Sequence, residues 1–170
     1  MQQKSIRLAC ELYSKIGAHK DLVILCIGTS KILGDAFGPM VGSILKENYN
    51  LPVYVYGDLV HNITAQNLES YINMVKKYHK DCHMLVIDSA LGDENEVGVI
   101  KIYNHGCAPR SAIENRFMVV GDSSILGVVE YKELFKTLIN AKRCFITSLA
   151  MVTAKAIEQY YRLTKVLPVK

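Results

Sequence analysis

Two short stretches of the chain are apolar without a break. Leu22-Val23-Ile24-Leu25-Cys26-Ile27 stops at Gly28, and Met84-Leu85-Val86-Ile87 stops at Asp88. Such runs are strand-sized, and a strand without polar alternation is one buried on both faces. Around them the pattern switches to a helical period. Residues 37–48 read as a helix with Pro39 in its first turn, where a missing N–H costs least. Residues 64–79 read as another, with Leu68, Ile72 and Val75 on its apolar side. Residues 53–56 form a β-rich run between Pro52 and Gly57. Buried strands that alternate with helices need crossover connections, and these make a mostly parallel sheet with helices on both faces. The expected fold class is α/β, a three-layer α/β/α sandwich. An N-terminal helix over residues 5–17, with Ile6, Ala9, Tyr13 and Ile16 at three- to four-residue spacing, precedes the core.

The second half is less regular. Residues 97–103 read as a strand, and 104–115, with Gly106, Pro109 and Arg110, as a loop. Short apolar pieces at 117–121 and 126–129 flank Gly121-Asp122-Ser123-Ser124. Residues 130–141 read as a helix, 143–146 as a short edge strand and 148–163 as the final helix. This hairpin-like half predicts a mixed sheet at one edge. Neither an internal repeat nor a linker is evident, so the 170 residues are expected to form one domain with its core over about 20–165.

Composition narrows the class. Half the residues are hydrophobic and 21% are charged, which excludes disorder as the dominant state. The longest apolar runs fall far short of the ~20 residues of a spanning helix, so no membrane partner is expected. The five cysteines form no CxxC pair, and the N-terminal stretch carries Arg7, Glu11 and Lys15 instead of an apolar signal core. Both features point to reduced thiols in a cytoplasmic setting. The net charge of +4 is spread along the chain without a basic stripe, so nucleic acid is not an expected partner. The oligomeric state is left open.

Ligands of open α/β sheets bind beyond the carboxyl ends of the strands. There the chain offers Gly28-Thr29-Ser30 through Gly34-Asp35, the Gly57-Asp58 segment with His61 and Asn62 behind it, Asp88-Ser89, and Gly121-Asp122-Ser123-Ser124. Asp35 and Asp88 are the leading pair. Asp88 directly follows the apolar run, which puts it at a strand tip, and Asp35 stands just before a helix, where the dipole favours a carboxylate. Two carboxylates on one crevice cannot both ionise cheaply. One then holds a proton while its neighbour accepts one, which is general acid–base chemistry on water. The same pair could instead hold a divalent metal that activates water. Backbone N–H groups around Gly28, Thr29 and Gly34 are candidates for binding an oxyanion.

The same residues also admit purely structural uses. Asp35 could cap the following helix, and Asp88 could close its strand by bonding the next turn. Gly28–Gly34 is no phosphate loop, because Gly34 is followed by Asp35 and not Lys. Residues 121–125 fail the GxSxG pattern at Ile125. His105 and Cys107 lack further ligands at zinc spacing and default to a loop histidine and a free thiol.

Several ordered motifs resemble the YyaC-type spore protease family. They are Cys26-Ile27-Gly28-Thr29, Gly34-Asp35-Ala36-Phe37-Gly38-Pro39-Met40-Val41-Gly42, Val55-Tyr56-Gly57 with His61, Asn67-Leu68-Glu69, Val86 through Gly92, Val97-Gly98, Val120-Gly121-Asp122 and Gly127-Val128-Val129. They span roughly residues 20–160. That family is similar to the germination protease of endospore formers and more distantly to the hydrogenase-maturation endopeptidases. The resemblance implies a phosphorylase/hydrolase-like α/β/α fold, a peptidase activity and a role in sporulation or germination in the forespore. It further implies a protein or peptide substrate such as a small spore protein. In the germination protease an aspartate in a glycine loop before a Gly-Pro helix start matches Asp35, and one following a strand matches Asp88. The maturation enzymes bind a metal through two acidic residues at these positions and a histidine that falls near Ser124. Serine there departs from the pattern, so no metal or other cofactor is expected. Any metal would fall to Asp35 and Asp88, with His61, Asp122 and Ser124 as candidate supporting groups.

Overall fold

A computed structural model describes residues 2–19, 21–109, 119–131 and 143–166. The chain enters through helix α1 (Gln2–Ile16) and passes into strand β1 (Leu22–Cys26). Helix α2 (Phe37–Asn48), strand β2 (Tyr54–Tyr56), helix α3 (Leu68–Tyr78) and strand β3 (His83–Gly92) follow. Strands β4 (Ile100–Tyr103) and β5 (Ser123–Tyr131) and helix α4 (Arg143–Val166) complete the described elements. The strands form one sheet in the order β2-β1-β3-β5-β4. Strands β2, β1, β3 and β5 are parallel, while β4 runs antiparallel to β5 at the edge.

The period-two geometry of β1 sorts its apolar side chains onto two faces. Leu22, Ile24 and Cys26 join the core shared with α1, α2 and α4. Val23, Leu25 and Ile27 join a second core beneath α3, with Leu68, Ile72 and Val75. These are the three expected layers. Because both faces of β1 are covered, its run can be apolar throughout.

Several expected boundaries move. Strand β3 does not stop at Ile87. It continues to Gly92 because β5 pairs with it beyond the point where β1 ends, with Asp88 opposite Leu126 and a register shift between Ala90 and Leu91. Asp88 is therefore not a strand tip; it is the first residue past the last β1 pair, Cys26 opposite Ile87. The expected edge strand at 143–146 is the first turn of α4: Ile146 begins a buried stripe that continues through Leu149, Ala150, Thr153, Ile157 and Tyr160. A four-residue apolar run cannot by itself distinguish a strand from a helix turn. Helix α3 begins only at Leu68, because Asn67 Oδ1 accepts the Thr64 N–H at 2.8 Å and holds 64–67 in a turn. Residues 97–99 precede β4, after a 3-10 turn at Glu94–Glu96. Glu130 and Tyr131 end β5, and the rest of the helix expected at 130–141 lies outside the described residues. So do 110–118, which hold part of the expected 104–115 loop and 117–121 apolar piece.

Candidate active site

Helix α2 brings the first carboxylate to the sheet. A Cβ on Gly38 would lie 2.1 Å from the Ile27 carbonyl oxygen and 2.9 Å from that of Ile87. Only a residue without a side chain lets the helix start rest directly on the chain just past β1 and on the neighbouring stretch of β3. Asp35 closes the 3-10 turn Leu33–Asp35 just ahead of it. Asp35 is not the helix cap: Ala36 holds that position, with no side-chain cap bond. The Asp35 side chain turns back to its own loop, and Oδ2 accepts the Thr29 N–H at 3.0 Å. Gly28 makes this return tight enough, with φ at 134° and its missing Cβ only 2.1 Å from the Asp35 carbonyl oxygen.

The second carboxylate comes from β3. Asp88 is buried, with 4% of its surface exposed, and its Oδ1 accepts the Ser89 N–H at 2.8 Å. The Ser89 hydroxyl donates to Asp35 Oδ1 at 3.2 Å. One residue therefore binds both carboxylates, and they meet where β1 ends beside the middle of β3. A groove of about 440 Å³ opens beside Asp35, lined by Thr29, Lys31, Asn62, Thr64 and Gln66. Among the described residues, no group of three or more His, Cys, Asp or Glu side chains is arranged to hold a metal ion. The described donor set at this site is two carboxylates and a serine, which does not fit the two-acid-plus-histidine pattern.

A family model described as "Protein of unknown function (DUF1256)" matches residues 1–159. The chain belongs to the DUF1256 family. It is 32% identical over 143 residues to "Uncharacterized protein YyaC" of Bacillus subtilis (strain 168), covering 82% of this chain and 69% of that protein. Among solved structures it is similar to the [NiFe] hydrogenase maturation protease HycI from Thermococcus kodakarensis KOD1. That likeness has a TM-score of 0.52 at 20% identity and covers 87% of this chain and 99% of the other. At that identity it speaks for the fold, a mostly parallel sheet with one mixed edge between helices.

In this DUF1256 chain the remaining candidates fall in different places. The N–H groups of Gly28, Thr29, Ser30 and Lys31 are all donated within the protein, to Ile63, Asp35, Asn62 and Thr29. As arranged, this stretch holds Asp35 and does not present N–H groups to an oxyanion. Gly34 is buried in the 3-10 turn. His61 is an exposed residue of the loop after β2, with Nδ1 3.3 Å from Asp58 Oδ1. Asp122 and Ser124 are not beyond a strand's carboxyl end. Strand β5 begins at Ser123 and runs parallel to β3, which puts Gly121-Asp122 at the opposite end of the sheet. There Asp122 Oδ2 accepts the Met84 N–H at 2.8 Å. Ser124 donates to the His105 carbonyl oxygen at 3.0 Å. Cys107 packs against the core beneath α3 and pairs through its backbone with Val120. Burial, with the Asp88 carboxylate adding to it, pushes its thiol up to about 12, so it stays protonated near neutral pH.

Sequence reasoning did not assign roles to Ser89 or Asn62. Ser89 follows Asp88 directly, but only the turn of the chain between β1 and α2 reveals that it faces Asp35. Asn62 Oδ1 accepts from Thr29 Oγ1 at 3.1 Å, Ser30 N at 2.9 Å and Ser30 Oγ at 3.0 Å. Behind it, buried Asp58 is bound by Lys46 at 2.5 Å and by the N–H groups of Val60 and His61. Burial works to raise the Asp58 carboxyl, but the Lys46 hydrogen bond and the two N–H bonds outweigh it and hold it well below the usual carboxylate range.

Proposed function

We propose that this chain is an endopeptidase in which Asp35 and Asp88 activate a water molecule against a peptide carbonyl. The observation that carries the reading is the Ser89 bridge, which binds one carboxylate through its N–H and the other through its hydroxyl. In this reading the two carboxylates that Ser89 links share a single proton. The ionised member takes a proton from water as the hydroxyl attacks the carbonyl carbon. The protonated member gives its proton to the departing amine, so one water is consumed for each bond cut. The groove beside Asp35 carries Thr29, Thr64 and Gln66, which can hydrogen-bond an extended peptide. The fold likeness to HycI, a hydrogenase maturation protease, supports a peptidase scaffold. A small spore protein as substrate, in a sporulating or germinating cell, is part of the same proposal.

The test is cleavage of a proteome-derived peptide library by the purified full chain, read by N-terminal labelling and mass spectrometry. Asp35→Asn and Asp88→Asn are each expected to lower turnover by about 10²–10⁴-fold, the usual worth of a positioned acid or base. Undiminished cleavage by either variant overturns the mechanism. Activity abolished by a chelator and restored by one divalent ion would transfer the role to a metal-dependent reading. A wild type that cleaves nothing but retains a stable protein complex would make the chain a binding protein on this scaffold.

A further inference from the structure

We propose that Asn62 is the positioning residue of the Asp35 side of this site, a role that deepens the peptidase reading and rests on it. Its side chain joins segments far apart in sequence. On one side, Oδ1 takes the Thr29 hydroxyl and both the N–H and hydroxyl of Ser30. On the other, Nδ2 donates to the Asp58 carbonyl oxygen at 2.8 Å. The Asn62 carbonyl oxygen in turn accepts from Asn67 Nδ2 at 3.0 Å, which ties it to the start of α3. Asp58 is itself clamped by Lys46 in the last turn of α2. A continuous path of hydrogen bonds therefore runs from the far end of α2, through Asp58 and Asn62, to Thr29. The Thr29 N–H ends the path on Asp35.

Hydrogen-bond capacity separates positioning from binding. An amide oxygen has two lone pairs, and the Asn62 oxygen already faces three donors within 3.1 Å. The oxygen has nothing left to offer a substrate, and one of the two Nδ2 hydrogens is taken by the Asp58 carbonyl oxygen. Its effect reaches the carboxylate only through the place where it holds Thr29. Without Asn62, Thr29 and Ser30 lose their bonds to the 57–63 loop. The Gly28 N–H still holds the Ile63 carbonyl oxygen and the Thr29 N–H the Asp35 carbonyl oxygen, but the Thr29–Ser30 turn that aims the Thr29 N–H at Asp35 Oδ2 is freed. Misplacement of a reacting group by about 1 Å is enough to cost about 10²-fold in rate.

Two variants of the full chain test this. Asn62→Ala removes both sides of the link; Asn62→Asp keeps an acceptor for Thr29 and Ser30 but cannot donate to Asp58. Amide hydrogen exchange is read at Thr29, whose N–H does not touch Asn62, and kinetics are read on the library peptide that the wild type cleaves best. In Asn62→Ala, Thr29 exchange is expected to speed up at least about tenfold and kcat to fall about 10²-fold with KM nearly unchanged. Asn62→Asp is expected to restore Thr29 protection and most of kcat, which a loss of bulk stability would not do, and it keeps the test alive if the alanine variant does not fold. Unchanged Thr29 exchange in Asn62→Ala overturns the proposal whatever the activity. Full kcat in Asn62→Ala, with Asp35→Asn inactive, sinks this proposal alone; a wild type that cleaves nothing sinks the peptidase reading and this role with it.

Discussion

The two ends of the parallel sheet carry similar residues and use them differently. At the carboxyl end stand Asp35, Asp88 and Ser89; at the amino end stand Asp122, Ser123 and His83. Each end has a crevice of comparable size, about 440 Å³ beside Asp35 and about 410 Å³ beside Asp122. At the amino end the carboxylate is engaged by one backbone group: Asp122 Oδ2 accepts the Met84 N–H, and the Asp122 N–H donates to the Met84 carbonyl oxygen at 2.8 Å. That reciprocal pair fastens the start of β5 to β3. At the carboxyl end two carboxylates converge on Ser89, and the loop around them is held by Asn62 in addition to the backbone bonds of Ile27 and Gly28 to Ile87 and Ile63. A cluster of polar residues at a sheet end is thus not a site in itself; the carboxyl end differs in that Ser89 binds two carboxylates there.

This contrast can be broken by experiment. The largest expected effect is at the carboxyl end, where Asp35→Asn or Asp88→Asn removes turnover and leaves the melting temperature near that of the wild type. A drop in stability as large as that of a core truncation would make these residues structural. Next comes Ser89→Ala, which deletes the hydroxyl bond to Asp35 but keeps the N–H bond to Asp88. A hydrogen bond to a charged group is worth about 1.5 kcal/mol, so kcat should fall about tenfold. Equal activity would remove Ser89 from the bridge. Asp122→Ala should do the reverse, costing about 1 kcal/mol in denaturant unfolding while leaving turnover intact.

The smallest effect is a slope with pH. Burial and the neighbouring His19, against Asp122, hold His83 down to about 4, and its ring stacks on His19 at 3.6 Å. The unfolded chain protonates this histidine near 6.5. Between about 6.5 and about 4 the unfolded state therefore binds the extra proton, and stability is complete above that window and declines as pH falls through it. His83→Gln, which cannot titrate, should flatten unfolding free energy across that range. An unchanged slope would assign the acid sensitivity to other groups.

Much of the fold was legible from periodicity. Helix α2 occupies the expected 37–48. The run from Leu22 is a strand buried on both faces. Such elements are readable because each satisfies its own burial pattern locally. The second half was not, because its elements depend on partners. Ser123–Tyr131 is one strand only because β3 extends to meet it. Arg143-Cys144-Phe145-Ile146 is helical only because α4 continues past it.

Of the site, the sequence by itself determined the carboxylate candidates: Asp35 before a Gly-Pro helix start and Asp88 after a buried run, the latter lying where β1 ends and not at the tip of its own strand. It also determined the layer architecture, since helical and strand periods alternate along the chain. Tertiary structure alone decided the direction in which each group faces. It sent Asp122 to the far end of the sheet, because strand polarity follows from pairing and not from a run of residues. It brought Ser89 between two aspartates and Asn62 against Thr29, because hydrogen bonds between segments some 32 to 54 residues apart leave no periodic trace along the chain.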